Sequence, residues 1–129
     1  MPIDRLTNRD YERLLEFRTE IRRFLQWSEE QAKALGLTAA QHQLLLAVRG
    51  HRGNRDPTVG DVAESLLLRH HSAVGLVDRA VEAGLVRREG DTDDRRVVRL
   101  TLSALGTRKL ADLSRRHLEE LTRLRAGVF

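Results

Sequence analysis

The chain contains no cysteine. That excludes a disulfide scaffold, thiolate zinc sites, iron–sulfur clusters and thiol-based redox sensing. Long apolar runs are also missing. The longest, Leu44-Leu45-Leu46-Ala47-Val48, falls far short of the ~20 residues that a membrane span needs. Asp4, Arg5, Arg9 and Asp10 precede any apolar stretch, so the N-terminus does not read as a signal peptide, and the expected location is the cytoplasm. Aromatics are scarce: Tyr11, Phe17, Phe24, Trp27 and Phe129, four of them before residue 28. Without an aromatic platform in the rest of the chain, a reader of unpaired bases or of RNA is disfavoured. There is no glycine-rich phosphate loop, the carboxylates are scattered, and no nucleophile has a base at a telling spacing, so an enzyme is not expected.

What is present fits one domain of 129 residues. Lys and Arg number 23 against 19 Asp and Glu, a net charge of +4, and 21 of the 23 cations are Arg. Arg grips phosphate with two parallel hydrogen bonds where Lys is a point charge. The bias therefore fits either a nucleic-acid partner or a genomic composition bias. Basic and acidic residues balance at 7 and 7 in 1–48 and nearly so at 10 and 9 in 49–102, but stand at 6 and 3 in 103–129. Such modest charge does not by itself establish a nucleic-acid partner.

Apolar periodicity divides the chain. Leu14, Phe17, Ile21, Phe24 and Ser28 step by 3, 4, 3 and 4, with Leu25 widening the stripe; this predicts a helix over 8–35 with Asn8 as its cap and Gly36 as its stop. Thr38 and Gln41 form a capping-box pattern ahead of a helix that buries Leu44, Leu45 and Val48 and ends near Gly50. Residues 51–57 are a polar loop. Thr58 caps a short helix, with Asp61 three residues on and Val62, Ala63, Leu66 and Leu67 as the apolar side. A further helix over 71–83 turns Val74, Leu76, Val77, Ala80 and Val81 inward and closes at Gly84. Residues 85–88 and 96–102 read as strands around a turn at 90–95. Ser103 caps the last helix, where Leu110, Leu113, His117, Leu121, Leu124 and Val128 form a stripe.

This order predicts a mainly α fold with a small β-hairpin: a single domain over 1–129, in which a winged helix-turn-helix (38–102) is flanked by long helices at 8–35 and 103–129. A helix fits the major groove of duplex DNA and needs a second helix to hold its angle. The outer stripes exceed what one small domain can cover, so the two outer helices are expected to bury each other across a homodimer axis.

The five histidines, His42, His51, His70, His71 and His117, include no pair three or four residues apart, so no metal site and no cofactor is expected. His117 lies within the last apolar stripe and reads as a hydrogen-bonded histidine at the dimer interface. His70, His71 and Ser72 are sequence neighbours, which do not face one another on a helix, so they form no local nucleophile–base pair. At the start of a helix that enters a groove, they can instead bond base edges and phosphates. Arg79 can reach a phosphate or pair with Glu82. Thr58 can place helix amides on a phosphate or act as an ordinary cap.

Residues 37–106 resemble the MarR family of bacterial transcriptional regulators. The resemblance rests on Leu37-Thr38-Ala39-Ala40-Gln41, Pro57-Thr58-Val59-Gly60-Asp61-Val62-Ala63, Leu76-Val77-Asp78-Arg79, Ala83-Gly84-Leu85-Val86-Arg87-Arg88, Asp94-Arg95-Arg96 and Leu102-Ser103-Ala104-Leu105-Gly106 in this order. It implies a homodimer on a pseudo-palindromic double-stranded DNA operator, usually a repressor, often released by a small phenolic or lipophilic effector. It further implies a DNA contact by the wing, with Asp94 bracing an arginine in the minor groove; Arg96 fits that role best, beside Arg95. Trp27 and His42 would line the effector pocket or simply pack in the core. The recognition helix departs from the family pattern: His71, Ser72, Val74 and Gly75, preceded by Arg69 and His70, stand where Ser and Thr, then Thr or Arg, are usual. Its operator is therefore expected to differ. The atypical helix keeps an alternative open, a winged-helix interaction module without DNA binding. Many relatives continue into a further helix past the position of residue 125, so either the dimer is smaller here or the natural chain extends beyond 129.

Overall fold

The computed structural model describes residues 5–128, and the side chains of residues 5–124. Helix α1 (Asn8–Ala34) is capped by Thr7 rather than by the expected Asn8. The Thr7 hydroxyl accepts the Asp10 N–H at 3.2 Å, and the Asp10 carboxylate accepts the Thr7 N–H at 2.8 Å. Two orphan donors of the first turn are thus satisfied reciprocally. The helix ends where Gly36 turns to φ +77° and the Leu37 N–H returns to the Ala32 carbonyl at 2.9 Å.

Helix α2 (Ala39–Arg49) carries the expected Thr38–Gln41 capping box, and helix α3 (Val59–Leu66) the Thr58–Asp61 box. α3 then stops in a way the apolar pattern does not announce. Leu67 adopts φ +55°, a left-handed conformation normally left to glycine, and the residue is 92% exposed rather than on the buried side. Helix α4 (His70–Glu82) begins one residue earlier than expected, with Arg69 at the N-cap and no side-chain cap. Gly84 at φ +74° and the Leu85 N–H to Ala80 carbonyl bond (2.9 Å) close it.

Strands β1 (Val86–Gly90) and β2 (Val98–Leu102) pair antiparallel from Val86↔Leu102 to Gly90↔Val98. β2 starts two residues later than the alternation from Arg96 suggests. Residues 91–97 close on themselves instead, through Asp91 N–H to Val97 carbonyl (2.9 Å) and Val97 N–H to Asp94 carbonyl (3.0 Å). Helix α5 (Ala104–Val128) is capped as expected by Ser103, whose Oγ accepts the Gly106 N–H at 3.0 Å. The Val128 side chain, last in the expected α5 stripe, and Phe129 lie outside the described residues.

The core gathers the end of α1 (Ala32), Leu37, the buried faces of α2 (Leu44, Leu45, Val48), α3 (Val62) and α4 (Leu76, Val77, Ala80), the hairpin (Leu85, Val86, Leu100) and the first half of α5 (Leu110, Leu113). The fold is thus a winged helix-turn-helix held between two long helices. Leu14, Phe17, Ile21 and Leu25 of α1, and Leu118 and Leu121 of α5, face solvent in the single chain.

Candidate nucleic-acid interface

The buried side of α4 is set by Ala73, Leu76, Val77 and Ala80. The 3.6-residue period then fixes what points away: His71, Ser72, Asp78, Arg79 and Glu82, with His70 and Arg69 at the start, are all exposed. Of the two roles open to Arg79, the ion pair with Glu82 is not formed; the Arg79 guanidinium folds back over Gly75, where an added Cβ would lie 3.3 Å from it. The Asp78 carboxylate accepts a hydrogen bond from Arg88 of β1. That pair neutralises an acid on the helix face and ties the hairpin to α4. Thr58 also opens α3 and sits in an isolated bridge with Arg99. Its hydroxyl is committed to the Asp61 N–H (3.1 Å), and the Asp61 carboxylate already takes the Thr58 N–H (2.9 Å). The backbone N–H of Thr58 holds that carboxyl below the usual range. A phosphate approaching this helix start meets an acid already in place.

The wing tip is built around carboxylates. Asp94 accepts the Arg96 backbone N–H at 3.0 Å and the guanidinium at 3.2 Å through both Nε and an NH2 group. The Arg96 guanidinium beside Asp94 holds that carboxyl below its ordinary value. Arg96 is nonetheless open to solvent, its side chain 91% exposed; Arg95 is also exposed. Beneath them Asp91 is nearly buried, its side chain 5% exposed. Its carboxylate accepts Arg99 Nε at 2.7 Å and the N–H groups of Asp93 (3.1 Å) and Asp94 (3.0 Å). The Arg99 hydrogen bond, aided by those two amides and opposed by burial, keeps its carboxyl below the usual range. Neither Asp91 nor Arg99 stands out in the sequence, because their partners come from distant loops and carry no period.

Trp27 and His42 meet at the junction of α1, α2 and α5. His117 of α5 lies between them, with ring centroids 4.9 Å from Trp27 and 4.7 Å from His42, and Phe24 stands edge-on to it at 5.9 Å. His117 Nδ1 lies 2.7 Å from the Leu113 carbonyl. A carbonyl only accepts, so Nδ1 carries a proton, and in the neutral ring Nε2 accepts the Ser28 hydroxyl at 2.6 Å. This serine–histidine pair forms across 89 residues of sequence, a separation that no local spacing announces. His117 is hydrogen-bonded as expected, here within one chain. A cavity of about 720 Å³ lies elsewhere, between the 51–57 loop and the hairpin.

His42 is only 7% exposed, and burial, with His117 beside it, pushes its imidazole below the ordinary histidine value. Folding therefore favours the neutral ring. Its contribution to stability is complete above the unfolded pKa of about 6.5 and is lost as pH falls below that value. The unfolding temperature should drop between pH 7 and pH 5, and His42→Gln should flatten that slope. The lowered carboxyls of Asp61, Asp91 and Asp94 act in the same direction only in more acidic solution. Thermal melts of both proteins at half-unit steps decide it; parallel slopes would remove His42 from the account.

The sequence model of the MarR family matches residues 35–97. No curated protein matches the sequence. Among solved structures, AbsC, a MarR family transcriptional regulator from Streptomyces coelicolor, superposes with a TM-score of 0.78 at 21% identity, covering 97% of this chain and 84% of that one. The MepR–DNA complex from S. aureus gives 0.75 at 18% identity, with 97% and 87% covered. CouR from Rhodococcus jostii RHA1, bound to p-coumaroyl-CoA, gives 0.73 at 25% identity, with 90% and 78% covered. The family match spans the helix-turn-helix and the hairpin tip, and the superpositions extend the likeness of fold to the flanking helices: residues 35–97 form a winged helix-turn-helix of the MarR type.

Proposed function

We propose that the protein is a sequence-specific, double-stranded DNA-binding transcription regulator, a homodimer acting as a repressor that a small lipophilic or phenolic effector releases. The observation that carries DNA binding is the pairing of an α4 face exposing His70, His71, Ser72 and Arg79 with a wing tip exposing Arg95 and Arg96. Arg96 fits the minor groove, where A·T and T·A look alike and narrow stretches attract an arginine. His71 and Ser72 suit the major groove, where all four base pairs differ. The occupant of the exposed stripes on α1 and α5 is a second copy of the chain. An effector beside Trp27 and His42 would sit where both outer helices meet the winged domain, so it could bind the two states of the dimer unequally. CouR, solved with p-coumaroyl-CoA, supports a ligand that carries a phenolic group.

The test is a competition series of operator variants, starting from the DNA upstream of the gene, at two salt concentrations. Arg96→Ala should weaken binding to all sequences and lower the salt slope by about one unit per lost contact. His71→Ala and Ser72→Ala should instead relax preference at particular positions, by ~1–3 kcal/mol per contact pair. A reversed pattern would exchange the roles of wing and helix. No binding to any duplex would leave a winged-helix module that binds protein instead.

A further inference from the structure

The hairpin has a support that neither the helix-turn-helix nor the wing itself supplies. Arg55, in the loop between α2 and α3, reaches across to the tip. One NH group donates to Asp91 Oδ1 at 3.4 Å and the other to Asp93 Oδ2 at 2.7 Å. The same loop holds β2 by two more bonds: the Asp56 carbonyl accepts Arg99 at 2.8 Å, and the Pro57 carbonyl accepts the Leu100 N–H at 2.8 Å. The ladder ends at Gly90↔Val98, so beyond that pair the tip has no partner strand. Its conformation rests on the two backbone bonds that link Val97 to Asp91 and Asp94, on the Asp91 carboxylate, which accepts the Asp93 and Asp94 amides, and on Asp94, which accepts Arg96. Arg55 is the residue from outside the hairpin that grips both the buried Asp91 and the exposed Asp93.

We infer that Arg55 is a positioning residue for the wing: bridging Asp91 and Asp93, it fixes the tip so that Arg96 is presented at one angle to DNA. This rests on the assignment of Arg96 to the minor groove. The physical basis is preorganisation. A tip that is ordered before binding loses less conformational freedom on binding, and a two-point guanidinium fork orders it where a single charge cannot. Arg55 acts through Arg96 and need not touch DNA.

Three predictions separate this from a direct phosphate contact. Arg55→Ala should weaken binding to the labelled upstream duplex about tenfold, the effect of ordering one or two residues on binding. Its salt slope should match the unmutated protein, because no phosphate contact is lost. In the Arg96→Ala background the same substitution should have little further effect. Arg55→Lys keeps the charge but not the fork, so it should bind like Arg55→Ala. Hydrogen exchange supplies a readout without DNA. The amides of Asp93, Asp94 and Arg96 should exchange faster in Arg55→Ala, while those of α4 and the unfolding temperature stay close to the unmutated values. An equal loss in both backgrounds, a slope reduced by one unit, or unchanged exchange at the tip would each overturn the inference. If the unmutated protein binds no duplex, the proposed function falls, and the exchange measurement still decides whether Arg55 orders the tip.

Discussion

Alanine at Gly106 should lower the unfolding temperature by up to about 5–10 °C, the consequence of a net loss of up to about 2 kcal/mol in a domain of this size. Gly106 lies in the first turn of α5, against the end of the α4–β1 connection. A Cβ built there would stand 2.2 Å from the Leu85 carbonyl oxygen and 3.1 Å from its carbon. Both are backbone atoms. Leu85 is itself fully buried, and its carbonyl accepts the Ser103 N–H at 3.0 Å, so it cannot retreat without breaking the start of α5. Overpacking of this kind costs about 1–3 kcal/mol, occasionally more, against the ~1 kcal/mol that alanine gains over glycine in a helix. Gly60, in the first turn of α3, is the control. There the nearest atom to an added Cβ is Thr58 Oγ1 at 3.6 Å, so Gly60→Ala should raise stability by a few tenths to about 1 kcal/mol. Opposite signs for the same chemical change test the close approach directly. A Gly106→Ala protein that melts with or above the unmutated one would show that the α5–Leu85 contact yields freely.

Gly106 also illustrates what sequence can convey. Its place in the Leu102-Ser103-Ala104-Leu105-Gly106 motif is legible, while the reason for glycine appears only when Leu85 is brought against it. Features confined to one or two turns read well. The Thr38–Gln41 and Thr58–Asp61 boxes and the Ser103 cap are i,i+3 patterns, and the structure contains all three. The buried faces of α2 and α4 follow from their period. What fails to show is non-local or unusual in its backbone. Leu67 reads as one more apolar residue of α3, because nothing local distinguishes a leucine in the left-handed region from one in the helix. Ser28 and His117 are each visible as stripe positions, yet their 2.6 Å pairing depends on how α1 lies on α5. Arg55 and Asp91 are 36 residues apart in two loops and follow no period. The DNA-facing candidates were legible as exposed positions on α4 and the hairpin; the carboxylate framework that holds the wing was not, apart from Asp94.

Glutamate at Leu121 should weaken self-association by about a thousandfold or more while leaving the helices intact. Leu14, Phe17, Ile21 and Leu25 recur at steps of 3, 4 and 4 along α1, and each is 42–59% exposed in the single chain; Leu118 and Leu121 of α5 are 63% and 45% exposed. Contiguous apolar surface on two long helices is expected to be covered. Covering such a side chain gives up to ~1.5–3 kcal/mol, and a two-fold axis counts each substitution twice. Losing one leucine per subunit, and placing a carboxylate in the same apolar setting, removes at least about 4 kcal/mol, which is roughly a thousandfold in the dissociation constant. Sedimentation equilibrium at micromolar concentration reads the change, and circular dichroism of the same samples separates dissociation from unfolding, since the core residues Leu110 and Leu113 of α5 are untouched. Leu121→Ala should fall between the two, because it removes the burial without adding the charge. DNA affinity should drop with the dimer, as two half-sites held by one molecule become two separate binding events. A Leu121→Glu protein that sediments as a dimer with unmutated affinity, or an unmutated chain that is monomeric throughout, would remove α1 and α5 from the account of assembly.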